Sequence, residues 1–186
     1  LGDASVILGV KEIPPESFLP GKAYLFFSHV ITGQPYNMPM LAKMLELGCT
    51  LIDYEKICDE NGRRLIFFGR FAGLAGMIDS LWALGQRLRR EGMVTPFAEI
   101  EPAHAYNGLH DAKAAIRRAG ERIATMGLPE ELPPLTIGIA GYGNVAAGVR
   151  EILAELPTRE VAPGNLASLA EDASGRRLYQ TTFKEE

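Results

Sequence analysis

Cysteine is scarce in this chain. Cys49 and Cys58 are the only two among 186 residues. They are too few for a disulfide framework and suit a reduced cytoplasm. Neither lies in a C-x-x-C pair, and the three histidines, His29, His104 and His110, are scattered. Metal-ligand spacing is therefore missing, and no metal is expected. Positive charge is not in excess: 19 Lys and Arg against 23 Asp and Glu leave a net charge of −4. Such a balance lacks the basic field that holds nucleic acid or an anionic membrane surface, so neither partner is expected. Apolar runs are broken by Gly or charge well short of membrane length. A basic start leading into an apolar stretch is also absent, and no signal peptide is expected. There is no internal repeat and no low-complexity tract.

What is present is globular composition, 47% apolar and 23% charged. The length fits one ordinary domain or parts of two. The chain opens on Leu-Gly-Asp without an initiator Met and stops at YQTTFKEE as if leaving a strand, which reads as a fragment.

The organising stretch runs from Val6 to Asn37. Two short apolar strands, VILGV (6–10) and YLFFSH (24–29), each run into a titratable residue, Lys11 and His29. About a dozen residues connect them, near the minimum for a parallel crossover. As parallel neighbours they would present both side chains at the carboxyl edge of a sheet, where open α/β sheets place ligands. Singly, each residue is as well explained by an ordinary role, a Lys in water and a His satisfied in the structure. At matching strand ends they form a candidate acid/base pair. Gln34, Tyr36 and Asn37 follow in a loop between Gly33 and Pro39, as donors for a substrate or as ordinary turn residues.

Pro39 opens a helix, MPMLAKMLELG, that Gly48 ends. TLIDYE (50–55) is a third strand. Its Asp53 and Glu55 are better explained as caps for the next element than as edge groups. Asp59 to Gly62 is a tight turn, and RLIFFG (64–69) is expected to be a strand. The long helix FAGLAGMIDSLWALGQRLRR carries Gly73 and Gly76 on one face. Its apolar surface suggests burial between domains or subunits, hence a possible homodimer. Arg70, at its start, is either a carboxylate-binding group or a surface cation. MVTPFAEIEPAH reads as loop, and an amphipathic helix runs from Leu109 to Met126 with Gly127 behind it. His104 and His110, near its start, face solvent in this reading.

The proline-rich joint from Pro129 to Pro134 divides the chain into residues 1–128, part of a substrate domain with linking helices, and residues 135–186. The second part begins LTIGIAGYGNVAAGVREILAEL, a strand, a glycine turn and a helix. Gly141, Gly143 and Ala146 make a G-x-G-x-x-A motif around Asn144 and Val145. The first glycine permits the turn, and the second admits a pyrophosphate. The alanine lets the helix pack on the strand, while the helix N-terminus faces the phosphates. Its place between strand and helix favours dinucleotide binding over a plain turn. Glu160 would favour the free ribose of NAD and Arg159 the phosphate of NADP, and the choice stays open. LPTREVAPGN is not a clear second strand. Residues 165–172 suggest a short helix, and RLYQTTF (177–183) a strand.

GVKEIPP, FFSHVITGQPYNMPML and LIDYEKICDENGRRLIFFGRFAGLAG, with the G-Y-G-N-V turn, resemble a known family. It comprises the lysine-forming saccharopine dehydrogenases and the lysine-ketoglutarate reductase module of aminoadipic semialdehyde synthase. These lie within the alanine dehydrogenase and pyridine nucleotide transhydrogenase superfamily. The resemblance covers Val6 to Leu156. It implies an α/β fold of flavodoxin-like and Rossmann-like parallel sheets, as part of a two-domain dehydrogenase whose nucleotide domain is truncated here. It implies Lys11 and His29 as the catalytic acid/base pair. Gln34, Tyr36, Asn37 and Arg70 would lie toward substrate, and Gly141, Gly143, Asn144, Val145 and Ala146 toward NAD or NADP. The implied reaction joins lysine to 2-oxoglutarate through an imine and reduces it, in the cleft between the domains of a cytoplasmic enzyme. Two departures stand out. The family carries a further region before the first block, and it has a Lys shortly after the His where this chain has Thr32. The alternatives are an alanine dehydrogenase-like enzyme with a smaller substrate and a non-catalytic nucleotide-binding module.

Overall fold

The computed structural model describes residues 2–169 and 174–184. Its contacts divide the chain into two compact units, residues 1–67 and 68–186.

The first unit is built on a parallel sheet in the order β1-β2-β3, with β1 at Val6–Leu8, β2 at Ala23–Phe26 and β3 at Thr50–Asp53. The parallel pairing expected for the first two strands is therefore present, with Leu8 opposite Leu25. β1 ends early, but pairing persists beyond it: Gly9 N–H donates to Leu25 O, and Phe27 N–H to Val10 O. Helix α1 (Met38–Glu46) starts with Pro at its first turn. It closes with the paired bonds of a Schellman motif, Cys49 N–H to Met44 O and Gly48 N–H to Leu45 O. Met40 and Met44, four apart, face inward and join Phe18, Tyr24 and Phe26 in the core on one side of the sheet. Phe18 and Tyr24 meet edge to face at 4.8 Å. The other side carries Val6, Leu8, Val10 and Ile52, all exposed.

RLIFFG is not a strand. Asp59 Oδ1 accepts from the N–H groups of Asn61 and Arg63, which closes the turn over a single antiparallel bridge between Cys58 and Arg64. Leu65 and Phe67 stay exposed, so no strand pairing repays their ordering.

The second unit holds α2 (Gly69–Arg90), α3 (Leu109–Met126), α4 (Asn144–Leu153) and a parallel sheet of β4 (Thr136–Ala140), β5 (Thr158–Glu160) and β6 (Leu178–Phe183). α2 buries Leu74, Met77, Ile78, Leu81 and Leu88, and α3 buries Ala112, Ile116, Ala119 and Ile123, both at helical spacing. These two helices, read from sequence as linkers of the substrate part, thus share one core with Ile139 and Ile152 beyond the proline joint. The segment read as loop before α3 also enters that core: Phe97 and Ile100 are buried in and beside a short 3-10 turn.

Gly73 does allow a close approach, and the approaching element is α4 of the same unit. A Cβ at Gly73 would lie 2.0 Å from Val145 O, and one at Gly148 would lie 2.1 Å from Arg70 O. α2 and α4 therefore cross backbone to backbone, and this face of α2 is already covered. Gly76 meets nothing within 4 Å and lines a cavity described below.

Residues 158–160 do form a strand, contrary to expectation, because β6 supplies a partner far along the chain. The sheet order is β4-β6-β5, so β6 lies between the other two. A 3-10 turn at Pro163–Asn165 meets the stretch suggested as a short helix only at its first residue; residues 166–168 are bend and turn, and 170–172 lie outside the described residues. No helix among the described residues is long and apolar enough to cross a membrane.

Candidate active site and cofactor turn

His29 follows β2 at the carboxyl edge of the first sheet, and Lys11 and Glu12 follow β1 at the same edge. Lys11 is exposed. Glu12 lies against the histidine: His29 Nδ1 and Glu12 Oε1 are hydrogen-bonded, with the two side chains about 30% exposed. That bond holds the Glu12 carboxyl below its ordinary value of 4.5, outweighing the opposing effect of burial. An ionised carboxylate only accepts hydrogen bonds. His29 therefore carries its hydrogen on Nδ1, and in the neutral ring Nε2 is left with its lone pair, ready to take a proton.

The ring is flanked on one side. Phe27 stacks near it at 6.4 Å, with the rings 19° apart, and Tyr54 meets Phe27 edge on at 5.2 Å. The Arg64 guanidinium lies 5.7 Å from the Phe27 centroid and pairs with Glu55 at 3.2 Å. An aromatic wall with a half-exposed cation thus borders the His29 region.

The loop donors separate. Gln34 and Tyr36 are exposed. Asn37 is buried, and its Nδ2 donates to Ser28 O at 3.0 Å and to Glu12 Oε1 at 3.4 Å. Asp53 caps the following turn as expected, accepting from Glu55 N–H at 2.7 Å. Its other oxygen accepts from the Ser28 hydroxyl and backbone N–H. Arg70 meets a carboxylate, and that carboxylate is Glu151 of α4, gripped by two bonds of 2.8 Å. Lys113 pairs with the same carboxylate at 2.8 Å.

Sequence reasoning passed over Glu12, Ser28 and Arg64. The signal for Glu12 was its place beside Lys11 in the V-K-E block. For Ser28 and Arg64 the sequence offered none beyond proximity to named residues. Among the described residues no three His, Cys, Asp or Glu side chains group as metal ligands.

In the second unit, β4 leads into Gly141, whose φ of 97° requires glycine. Gly141 N–H donates to Phe183 O at 2.9 Å, tying the turn to β6. α4 begins at Asn144 behind Gly143, with no side chain capping its first N–H groups. Nothing lies within 4 Å of a Cβ built on Gly141 or Gly143, so the backbone is open to a ligand. Ala146 is buried against the core, as the motif demands. A cavity of about 580 Å³ runs along β4 and the turn toward Met77 and Leu81 of α2. A second cleft, of about 400 Å³, lies between the turn and the end of β6 and is lined by Tyr142, Phe183 and Lys184. Open glycines, free helix N–H groups and a cleft at a strand end fit a dinucleotide pyrophosphate.

Both sites are of kinds that dehydrogenases use, and proteins of similar sequence include an enzyme of that class. Residues 1–75 match the family described as alanine dehydrogenase/PNT, N-terminal domain. More particularly, its sequence is similar to alpha-aminoadipic semialdehyde synthases and to a lysine-forming saccharopine dehydrogenase. It is 41% identical over 183 residues to the mitochondrial alpha-aminoadipic semialdehyde synthase of Bos taurus, covering 98% of this chain and 20% of that protein. It is 44% identical over 188 residues to the alpha-aminoadipic semialdehyde synthase of Arabidopsis thaliana, covering 97% and 18%. It is 27% identical over 168 residues to the NAD(+), L-lysine-forming saccharopine dehydrogenase of Neurospora crassa, covering 89% and 42%. The chain thus spans about a fifth of the length of the two synthases.

Proposed function

We propose that this chain carries the proton-transfer groups and the cofactor turn of an NADP-dependent, saccharopine-forming oxidoreductase that condenses lysine with 2-oxoglutarate. The contact between Glu12 and His29 at the carboxyl edge of the first sheet carries the reading. It gives a histidine of fixed tautomer at the same sheet edge as an exposed lysine, which suits amine–ketone condensation. His29 Nε2 takes the proton from the amine as it adds to the ketone and returns it to the departing hydroxyl as the imine forms. Lys11 supplies positive charge and a proton on the oxygen side. Arg64, half-exposed and paired with Glu55 at 3.2 Å, is with Gln34 and Tyr36 the group this unit offers to substrate carboxylates, by exchanging Glu55 for substrate. Arg70 is left out because Glu151 grips its guanidinium through two bonds of 2.8 Å.

Gly141, Gly143 and the first N–H groups of α4 would seat the pyrophosphate, and the bound nicotinamide supplies the hydride that reduces the imine. NADP is favoured by strand order. The strand beside β4 is β6, which ends at Phe183 with Lys184 next in the same cleft. Arg159 and Glu160 lie one strand further out. The free thiols Cys49 and Cys58 suit a reducing compartment such as the cytoplasm.

The test follows the near-ultraviolet absorbance of reduced nicotinamide in the full-length protein, beside a Lys11→Met/His29→Gln double variant. Oxidation that requires lysine and 2-oxoglutarate together, and is lost in the variant, is expected. Oxidation with pyruvate and ammonia instead would shift the assignment to an alanine dehydrogenase-like enzyme. Cofactor binding without turnover on any pair would leave a nucleotide-binding module.

A further inference from the structure

His29 is the single non-glycine among the described residues with a positive φ, 51°. For a residue with a Cβ that conformation is strained, because Cβ crowds the neighbouring carbonyl oxygen. Such strain persists only where the surroundings over-determine it. The residue just before His29 is held at every polar group it has. Ser28 is fully buried. Its N–H donates to Asp53 Oδ2 at 3.3 Å, and its hydroxyl donates to the same oxygen. Its carbonyl accepts from Asn37 Nδ2 at 3.0 Å. On the far side of His29, Val30 N–H donates back to Ser28 Oγ at 3.4 Å. Asp53 is itself fixed by its place at the end of β3, opposite Phe26, and by the bond from Glu55 N–H. Asn37 reaches the Glu12 oxygen that also meets His29.

We propose that Ser28, Asp53 and Asn37 form a clamp that holds His29 in its left-handed backbone conformation and thereby aims Nδ1 at Glu12 and Nε2 at the reacting amine. They are positioning residues, since each acts through His29 or Glu12. A negative φ at residue 29 would turn the Cα–Cβ bond about the backbone and carry the ring away from Glu12. The proposal rests on the reading of His29 as the proton-transfer group, but its geometry can be tested without turnover.

The experiment uses the full-length protein with nitrogen-labelled histidine, and the His29 signals are identified by their loss in His29→Gln. The parent is expected to show His29 in one tautomer, hydrogen on Nδ1. In Ser28→Ala and Asp53→Asn the two tautomers are expected to mix, with kcat falling about tenfold while KM stays within about twofold. Ser28→Ala removes the hydroxyl and the Val30 N–H bond to it but leaves the bonds of residue 28's own N–H and carbonyl, so it carries the test if Asp53→Asn does not fold. An unchanged His29 tautomer in folded Ser28→Ala protein would overturn the clamp. So would losses in kcat and KM that merely track the amount of folded protein. A tautomer that shifts as expected in a protein inert toward every amino-acid and keto-acid pair would keep the clamp and sink the proposed reaction.

Discussion

Glu12 illustrates how one side chain links chemistry to stability. Its folded pKa lies below the unfolded value, chiefly through the bond to His29. The carboxylate therefore favours the folded state above about pH 4.5, and that contribution is lost as the pH falls through the lowered folded value. In Glu12→Gln the contribution is missing at every pH. Urea midpoints of parent and variant should differ at neutral pH and converge as the solution is acidified below 4.5. A constant offset down to the lowest pH would mean that Glu12 acts by packing instead. The same substitution unfixes the His29 tautomer, so turnover should also fall about tenfold.

At the scale of elements, the helices and the first sheet were legible because their signals are local. Helix α3 begins and ends where periodicity and Gly127 place it. The parallel pairing of β1 and β2 follows from two apolar runs and a connection of crossover length. β5 was not legible, since three residues become a strand only when β6, some 20 positions later, lies beside them. The opposite error at residues 64–69 has the same cause, an apolar run without a partner strand. The bond between His29 and Glu12 escaped because it depends on the hand of one backbone residue. Gly73 was singled out correctly, but its counterpart Gly148 could not be paired with it from sequence. Because a Cβ at Gly73 would overlap Val145 O, Gly73→Ala must push α2 and α4 apart. A loss of about 3 kcal/mol or more in chemical denaturation is expected. Gly76→Ala, on the same helix with open space around it, should cost little and serves as the control.

For the molecule as a whole, strand order governs what a dinucleotide would meet. With neighbouring strands about 4.8 Å apart, Glu160 and Arg159 stand roughly 10 Å from the line of β4. Lys184 stands at about half that distance, on the cleft the glycine turn shares. Lys184→Glu should weaken NADPH about tenfold, through loss of a charged phosphate contact, and leave NADH nearly unchanged. Fluorescence titration of each cofactor reads both affinities. Equal weakening of the two would place Lys184 at the pyrophosphate and return the choice to Arg159 and Glu160.

The order β4-β6-β5 also bears on how the protein is made. A ribosome delivers β4, then the glycine turn, then α4 and β5, yet none of these strands has a neighbour in the sheet until residue 178 has been synthesised. The hydrogen bond that ties Gly141 to Phe183 comes later still. During translation the glycine turn therefore lacks its tie to the sheet for some forty residues of synthesis, and only the packing of α4 on α2 can hold it. A nascent chain paused anywhere in that interval would have the first unit's sequence complete and the glycine turn still without its neighbouring strand.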